Sequence, residues 1–326
     1  MREIILKDGG QSDYFIMYFK IKINMNNLIL FSLIIIGLFL YSCDPNGVTI
    51  SKGNYWERSN AAQLNIKGKV KTITTDGGSY VTSFNESGFI TSDVYNEESS
   101  IYIYNANGQL AKIVKTSPNG TSITTIYEYN NPGRYIFMFK GRLHLYPNLS
   151  SYTKESTLSK DYTKVEYVFK NATTMDIITT NVLNSSIYKD SSTVQYNGNY
   201  PSGYSNQGSF LKDITYASNG MFKTYTDGFN GNSTVHKFKS NDDYLLPESD
   251  TFTYASLPPN NSITITYTYN DKNDLTEISG GASSTQYINF VYDSQGNWTS
   301  NTMQSKFKDA STWTTEAPTV RTITYW

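Results

Sequence analysis

Residues 262–298 read SITITYTYNDKNDLTEISGGASSTQYINFVYDSQGNW, and their pattern decides the fold. Ile263, Ile265, Tyr267 and Tyr269 alternate with Thr264, Thr266 and Thr268. A two-residue period written in β-branched and aromatic side chains is a strand. The alternation stops in Asn270-Asp271-Lys272-Asn273-Asp274, restarts at Gln286 and stops again in Asp293-Ser294-Gln295-Gly296-Asn297. An aromatic strand end, an Asn or Asp, two variable residues and a Gly or Asn thus make one hairpin unit.

Outward from that stretch the unit recurs. It appears as Phe84-Asn85-Glu86-Ser87-Gly88-Phe89-Ile90, Tyr104-Asn105-Ala106-Asn107-Gly108-Gln109-Leu110 and Tyr129-Asn130-Asn131-Pro132-Gly133-Arg134-Tyr135. After a weaker middle comes Tyr216-Ala217-Ser218-Asn219-Gly220-Met221-Phe222. Well-formed neighbours stand roughly 20–25 residues apart, the length of one hairpin per repeat. Each turn needs one residue at positive φ, which assigns Gly88, Gly108, Gly133, Gly220, Asn273 and Gly296 to that role. One unit cannot bury its own face, so the aromatic ahead of each turn is expected to pack on its counterpart in the next unit. Residues 184–208, rich in Ser, Asn, Tyr and Gly, read as a long loop or a bend between two sub-arrays. Residues 320–326 form a closing strand tied into the sheet, because fraying would expose Ile323 and Trp326.

Composition agrees with many short strands. The 326 residues include 28 Tyr and 16 Phe, and 15% are aromatic against 17% charged. A net charge of −1 leaves no positive stripe for nucleic acid. A single cysteine excludes an intramolecular disulfide, and two histidines provide no zinc-ligand spacing. The expected fold is all-β, an elongated or curved meandering sheet of antiparallel hairpins.

The N-terminus has a different grammar. Residues 28–40 (LILFSLIIIGLFL) are apolar and uncharged, too short for a span of about 20 residues but suited to a signal-peptide core. Lys20 and Lys22 precede it, and Leu40-Tyr41-Ser42-Cys43 follows. This resembles a bacterial lipobox, with Tyr41 where a small residue is usual. The resemblance implies cleavage before Cys43, its lipidation, and attachment to the outer membrane or cell surface. Residues 1–42 are then a signal peptide whose working start is Met17 or Met25, and residues 43–63 a lipidated tether. An uncleaved anchor or a buried helix with a free thiol is the alternative; the length of the run favours the signal peptide.

The repeated unit, best preserved in Tyr292-Asp293-Ser294-Gln295-Gly296-Asn297-Trp298, resembles the YD repeat of Rhs and teneurin-like proteins. Together with the lipobox, Gly68-Lys69-Val70-Lys71 and a closing Arg321-Thr322-Ile323-Thr324-Tyr325, it is similar to small YD-repeat lipoproteins of Gram-negative bacteria. The Arg common after the turn Gly appears only at Arg134, and the array is shorter than those that wrap into the closed Rhs shell. The resemblance implies a hairpin array and surface placement, and carries no catalytic site.

Catalytic signals are sparse. His144 and His236 have no nucleophile or orienting acid near them in sequence, and a satisfied strand histidine is the simpler reading. Paired carboxylates for glycoside hydrolysis leave no sequence signature. Asp227, Asp242, Asp243, Asp271 and Asp293 are therefore candidates, although most are turn residues that bond their own backbone. Asn241-Asp242-Asp243 and residues 270–274 cluster oxygen ligands for calcium without EF-hand spacing. Trp56, Trp298 and Trp313 are candidates for a sugar-stacking platform, against the plainer reading as core or cross-strand ladder. The resulting expectation is a non-catalytic, cofactor-free envelope module that binds a glycan, a peptide or another envelope protein. A carbohydrate hydrolase and a structural spacer stand as alternatives.

Overall fold

The computed structural model describes residues 54–139, 143–159, 161–239, 244–255 and 262–326. Cys43, the signal segment and Asn241-Asp242-Asp243 lie outside the described residues.

Neighbouring strands are antiparallel throughout, and most pairs are consecutive in sequence. Pairing runs in order from Val70–Thr75 to Ser122–Tyr129. The chain then detours through a separate hairpin, Tyr135–Phe139 with Leu143–Pro147, before Leu149–Ser156 rejoins the sheet beside Ser122–Tyr129. From there the meander continues to Trp298–Phe307, whose far edge is shared by Thr319–Tyr325 and the two-residue strand Thr314–Thr315. Thr319–Tyr325 in turn pairs with Val70–Thr75, placing Ile323 opposite Ile73 and Thr322 opposite Thr74.

The sheet therefore closes into a 20-strand barrel and does not form the open or curved array expected from the repeat. The reason lies in the backbone: an open meander leaves two edges of unpaired N–H and C=O groups, whereas joining the first and last strands removes both. The terminal strand is tied into the sheet as expected, but its partner is the first strand. Ile323 packs inward against Val70 and Ile73, while Trp326 stays 53% exposed, its ring 4.7 Å from the Lys71 ammonium.

Six turns share one geometry. In residues 85–89, 105–109, 117–121, 217–221, 270–274 and 293–297 the first N–H donates to the fifth carbonyl, and the fourth N–H donates back to the first carbonyl. The fourth residue is left-handed each time: Gly88, Gly108, Gly120, Gly220, Asn273 and Gly296, at φ between +64° and +84°. Where the first residue is Asn or Asp, as in Asn85, Asn105, Asn270 and Asp293, its Oδ1 also accepts the N–H groups of the third and fifth residues. Gly133 is also left-handed, but it belongs to a different turn that leads into the detour hairpin. Residues 184–208 are sheet, not loop: Ser186–Asn197 and Tyr200–Asn206 continue the meander. Their Ser and Asn content marks exposed strand positions and two-residue turns such as Asn184-Ser185, at φ +49° and +68°.

Successive units are linked by hydroxyls that reach back to the preceding turn, not by the ring-on-ring contact expected. Tyr104 donates to the Ile90 carbonyl at 2.9 Å, and Tyr129 to the Leu110 carbonyl at 2.7 Å. Tyr292 donates to Asp274 at 3.0 Å, and Tyr325 to Asp293. This is why the unit prefers Tyr to Phe before the turn. The ring is half-buried, and its polar tip satisfies a group in the neighbouring unit.

Two inserted segments fill the barrel. The detour hairpin buries Ile136, Phe137, Met138 and Leu145 against Val165, Tyr167, Met175, Val194 and Leu211. The second segment precedes the first strand, so residues 54–63 are packed and not part of a tether. They contain a 3-10 turn, Tyr55–Glu57, and a short helix, Asn60–Gln63, capped by the Ser59 hydroxyl. Their donors satisfy turns at one end of the barrel. Trp56 Nε1 donates to the Gly220 carbonyl at 2.7 Å, Ala61 N to Gly88 at 2.9 Å and Asn65 Nδ2 to Lys272 at 2.8 Å. Lys67 N completes the series on Asn297 Oδ1 at 2.8 Å. That end is sealed.

The outer wall is hydroxylated. Thr72 pairs with Thr324, Thr215 with Thr224, Thr251 with Thr264 and Thr266 with Ser279, at 2.6–3.1 Å across neighbouring strands. Alternation thus turns many Tyr and Phe inward and these Thr and Ser pairs to solvent, with Ile101, Ile103, Ile126, Val168 and Val291 exposed among them.

Two glycine substitutions separate backbone strain from sealing. At Gly108 a Cβ would meet nothing closer than 3.8 Å, so Gly108→Ala should cost only the left-handed penalty of about 1 kcal/mol. At Gly220 it would strike the Tyr200 hydroxyl at 2.5 Å and Asn54 at 2.8 Å. Gly220→Ala should therefore cost about 3 kcal/mol in urea unfolding, and equal losses at the two sites would refute the sealing role.

Candidate functional site

Four consecutive strands build an interior cluster that contains a histidine and two carboxylates. Phe222–Phe229 and Asn232–Phe238 place Tyr225 opposite His236, and Pro247–Thr253 places Asp250 on the other side of His236. Asp227 lies two residues beyond Tyr225 and so shares its face. Ser262–Tyr269 adds Tyr267, two residues from Ile265, which is Asp250's direct partner. Register alone therefore gathers Asp227, His236, Asp250 and Tyr267.

Their contacts are unequal. His236 Nδ1 meets Asp250 Oδ1 at 2.7 Å, whereas Nε2 meets Asp227 Oδ1 at 3.4 Å. Tyr267 donates to Asp250 Oδ2 at 2.6 Å, and the Tyr225 ring lies 4.4 Å from the imidazole. Burial favours neutral His236, but hydrogen bonds and charge from Asp227 and Asp250 outweigh it and push the imidazole up to about 9. Burial would likewise raise Asp250, yet His236 and Tyr267 hold it below the ordinary carboxylate range. At neutral pH His236 and Asp250 form an imidazolium–carboxylate pair, with Asp227 on the other ring nitrogen. A histidine already protonated is no general base, and a carboxyl held ionised is no general acid.

Beyond Asp227 an open cleft of about 580 Å³ is lined by Tyr204, Phe210, Asp227, Phe229, Asn232 and Thr234, among others. It adjoins the turns at Gln207-Gly208 and Asn230-Gly231. Strand Ser209–Tyr216 starts at the first of these turns and ends at the turn carrying Gly220, so the cleft sits at the end of the barrel opposite the seal. Phe229 is 53% exposed there. A second open cleft, of about 490 Å³, lies at the sealed end, with Glu57, Gln109, Tyr129 and Asn148 in its wall.

The other sequence candidates are dispersed. Trp56 packs on Phe222 at 5.2 Å inside the barrel, so it belongs to the seal. Trp298 lies under the Arg321 guanidinium at 3.4 Å, and Trp313 beneath the Lys306 ammonium at 4.9 Å. The three indoles have separate partners and make no common platform: Trp56 sits in the 3-10 turn, Trp298 opens the strand Trp298–Phe307 and Trp313 precedes Thr314–Thr315. His144 is exposed on the detour hairpin, opposite Met138 in register. Asp271 is an exposed turn residue, and Asp293 is spent on its own turn and on Tyr325. In residues 270–274 Asn270 Oδ1 and Asp274 Oδ2 are likewise committed, to turn N–H groups and to Tyr292. Among the described residues no group of three His, Cys, Asp or Glu is arranged to hold a metal ion; the two carboxylates at His236 face different ring nitrogens.

Of the described acids weighed from sequence, Asp227, Asp271 and Asp293, only Asp227 joins a histidine. Asp250, Tyr204 and Phe229 escaped notice; the signal was an alternation in which residues 236, 250 and 265 are cross-strand neighbours, visible only once the register is known. Comparison of the chain with protein-family models and with curated proteins finds no match.

The array predicts a pH dependence. The folded His236 pKa is raised, so its stabilisation is fully present below about 6.5 and lost as pH rises through about 9. The stability gap between the native chain and His236→Gln should shrink across that window, by on the order of 3 kcal/mol at most. Parallel stability curves from pH 6 to 10 would exclude a buried imidazolium.

Proposed function

We propose that this chain is an exported, lipid-anchored binding module, resembling small YD-repeat lipoproteins, that holds a ligand in the cleft at the unsealed end of the barrel. The observation that carries the reading is the pairing of an acidic side chain, Asp227, with an exposed ring, Phe229, in an open concave wall. Such clefts combine apolar area with a few polar groups that fix orientation. The ionised Asp250 and protonated His236 favour binding over hydrolysis, since a glycosidase needs one carboxyl raised by its surroundings.

Attachment falls to Cys43. A barrel that crosses a membrane turns an apolar band outward and polar residues inward. Here Thr and Ser pairs interrupt the exposed Ile101, Ile103, Ile126, Val168 and Val291, and the inner wall packs an aromatic and aliphatic core, a distribution that favours a water-facing wall over a lipid-facing one. An acyl chain contributes about 0.8 kcal/mol per buried methylene, and a lipidated cysteine with more than one chain holds a soluble body at the bilayer.

Two experiments test the reading. Cys43→Ser should move the chain from the membrane fraction to the soluble fraction, and unchanged partitioning would remove the anchor. In screens of glycans and peptides, Phe229→Ala should weaken capture by the detergent-solubilised chain severalfold, while Trp313→Ala should leave it unchanged. Equal effects would move the site away from the cleft.

A further inference from the structure

We infer that the cleft takes the cationic side chain of a peptide, an arginine or a lysine, seated between the Asp227 carboxylate and the Phe229 ring. The inference rests on the cleft being the binding site and names the chemistry it selects.

Charge comes first. Among the described residues that line the cleft, Asp227 is the one charged side chain. Behind it stand His236 and Asp250, so two carboxylates face one imidazolium and the array keeps one negative charge. Nearby Lys212 does not neutralise it: its ammonium lies 5.4 Å from the Phe210 ring centroid and 4.0 Å from Asp213.

The asymmetry of the array points the same way. Charge-assisted hydrogen bonds run near 2.7–2.9 Å, as His236 to Asp250 does. The 3.4 Å contact to Asp227 is long, and it uses Oδ1. Asp227 therefore retains acceptor capacity toward the cleft, with its side chain 39% exposed, while Asp250 is spent on His236 and Tyr267. A guanidinium or ammonium that reaches Asp227 gains a carboxylate partner and meets the exposed Phe229 face.

Size argues for a peptide over a free amine. At about 580 Å³ the cleft exceeds one side chain, and its rim carries Ser209, Ser233 and Thr234, which can bond a flanking backbone.

Calorimetry on the detergent-solubilised full-length chain tests this with four probes: N-acetyl-arginine methylamide, its neutral citrulline counterpart, butylamine and a neutral oligosaccharide set. The arginine compound should bind about tenfold more tightly than the citrulline one. Asp227→Asn should abolish that difference, and Phe229→Ala should weaken arginine binding about threefold to fivefold without touching the histidine array. Added salt should lower the affinity. Equal binding of arginine and citrulline compounds would overturn the cation, and butylamine matching the arginine compound would overturn the peptide. Oligosaccharide binding that falls with Phe229→Ala but ignores Asp227→Asn would overturn this inference and leave the cleft as the site. No binding of any probe would overturn both.

Discussion

The structure depends on the pairing of its first and last strands. Val70–Thr75 and Thr319–Tyr325 lie at opposite ends of the described chain, yet their register places Ile73 beside Ile323. Without that pair, both strands would expose a row of unsatisfied backbone groups. With it, the inner wall becomes continuous, and the inserted segments have an enclosed surface to cover. Closure also fixes which end of each strand faces the seal, and so puts Asp227 and Phe229 at the opposite rim.

A barrel this wide cannot be filled by its own inward side chains. The chain supplies two fillers, the hairpin Tyr135–Pro147 and the segment before Val70, and each reaches a different part of the wall. They also touch each other, through Tyr135 and Glu57 at 2.6 Å. The cluster near His236 lies where polar groups line the wall and bond one another. The interior thus combines apolar packing around the detour hairpin with polar clusters at both ends, Asp293, Asn297 and Tyr325 at the seal and Asp227 at the opposite rim.

Much of this was legible. The period-2 alternation and the turn formers located the strands on either side of Gly88, Gly108, Gly220, Asn273 and Gly296, because a left-handed turn residue leaves a chemical mark. The turn at residues 117–121 has the same geometry but follows Thr116 instead of an aromatic, so it escaped. Two-residue turns such as Asn184-Ser185 and Gln207-Gly208 are weaker signals, and they made strands look like loop. Closure was not legible, because a repeat describes each unit's neighbour and says nothing of where the series ends. The carboxylate–histidine array was hidden for a related reason. His236 and Asp250 are opposite only through a register that the intervening residues set.

The back-reaching tyrosine hydroxyls have a consequence for assembly. Four of the units are completed by a residue made after them, as Tyr129 completes the turn that precedes Leu110 and Tyr325 the one that begins at Asp293. The growing or emerging chain would thus carry one unfinished unit at its trailing edge. The final closure joins segments separated by nearly the whole domain, a slow, entropy-limited search. Until residue 325 is available, the sheet keeps two open edges, and that interval is when a chaperone would have most to protect.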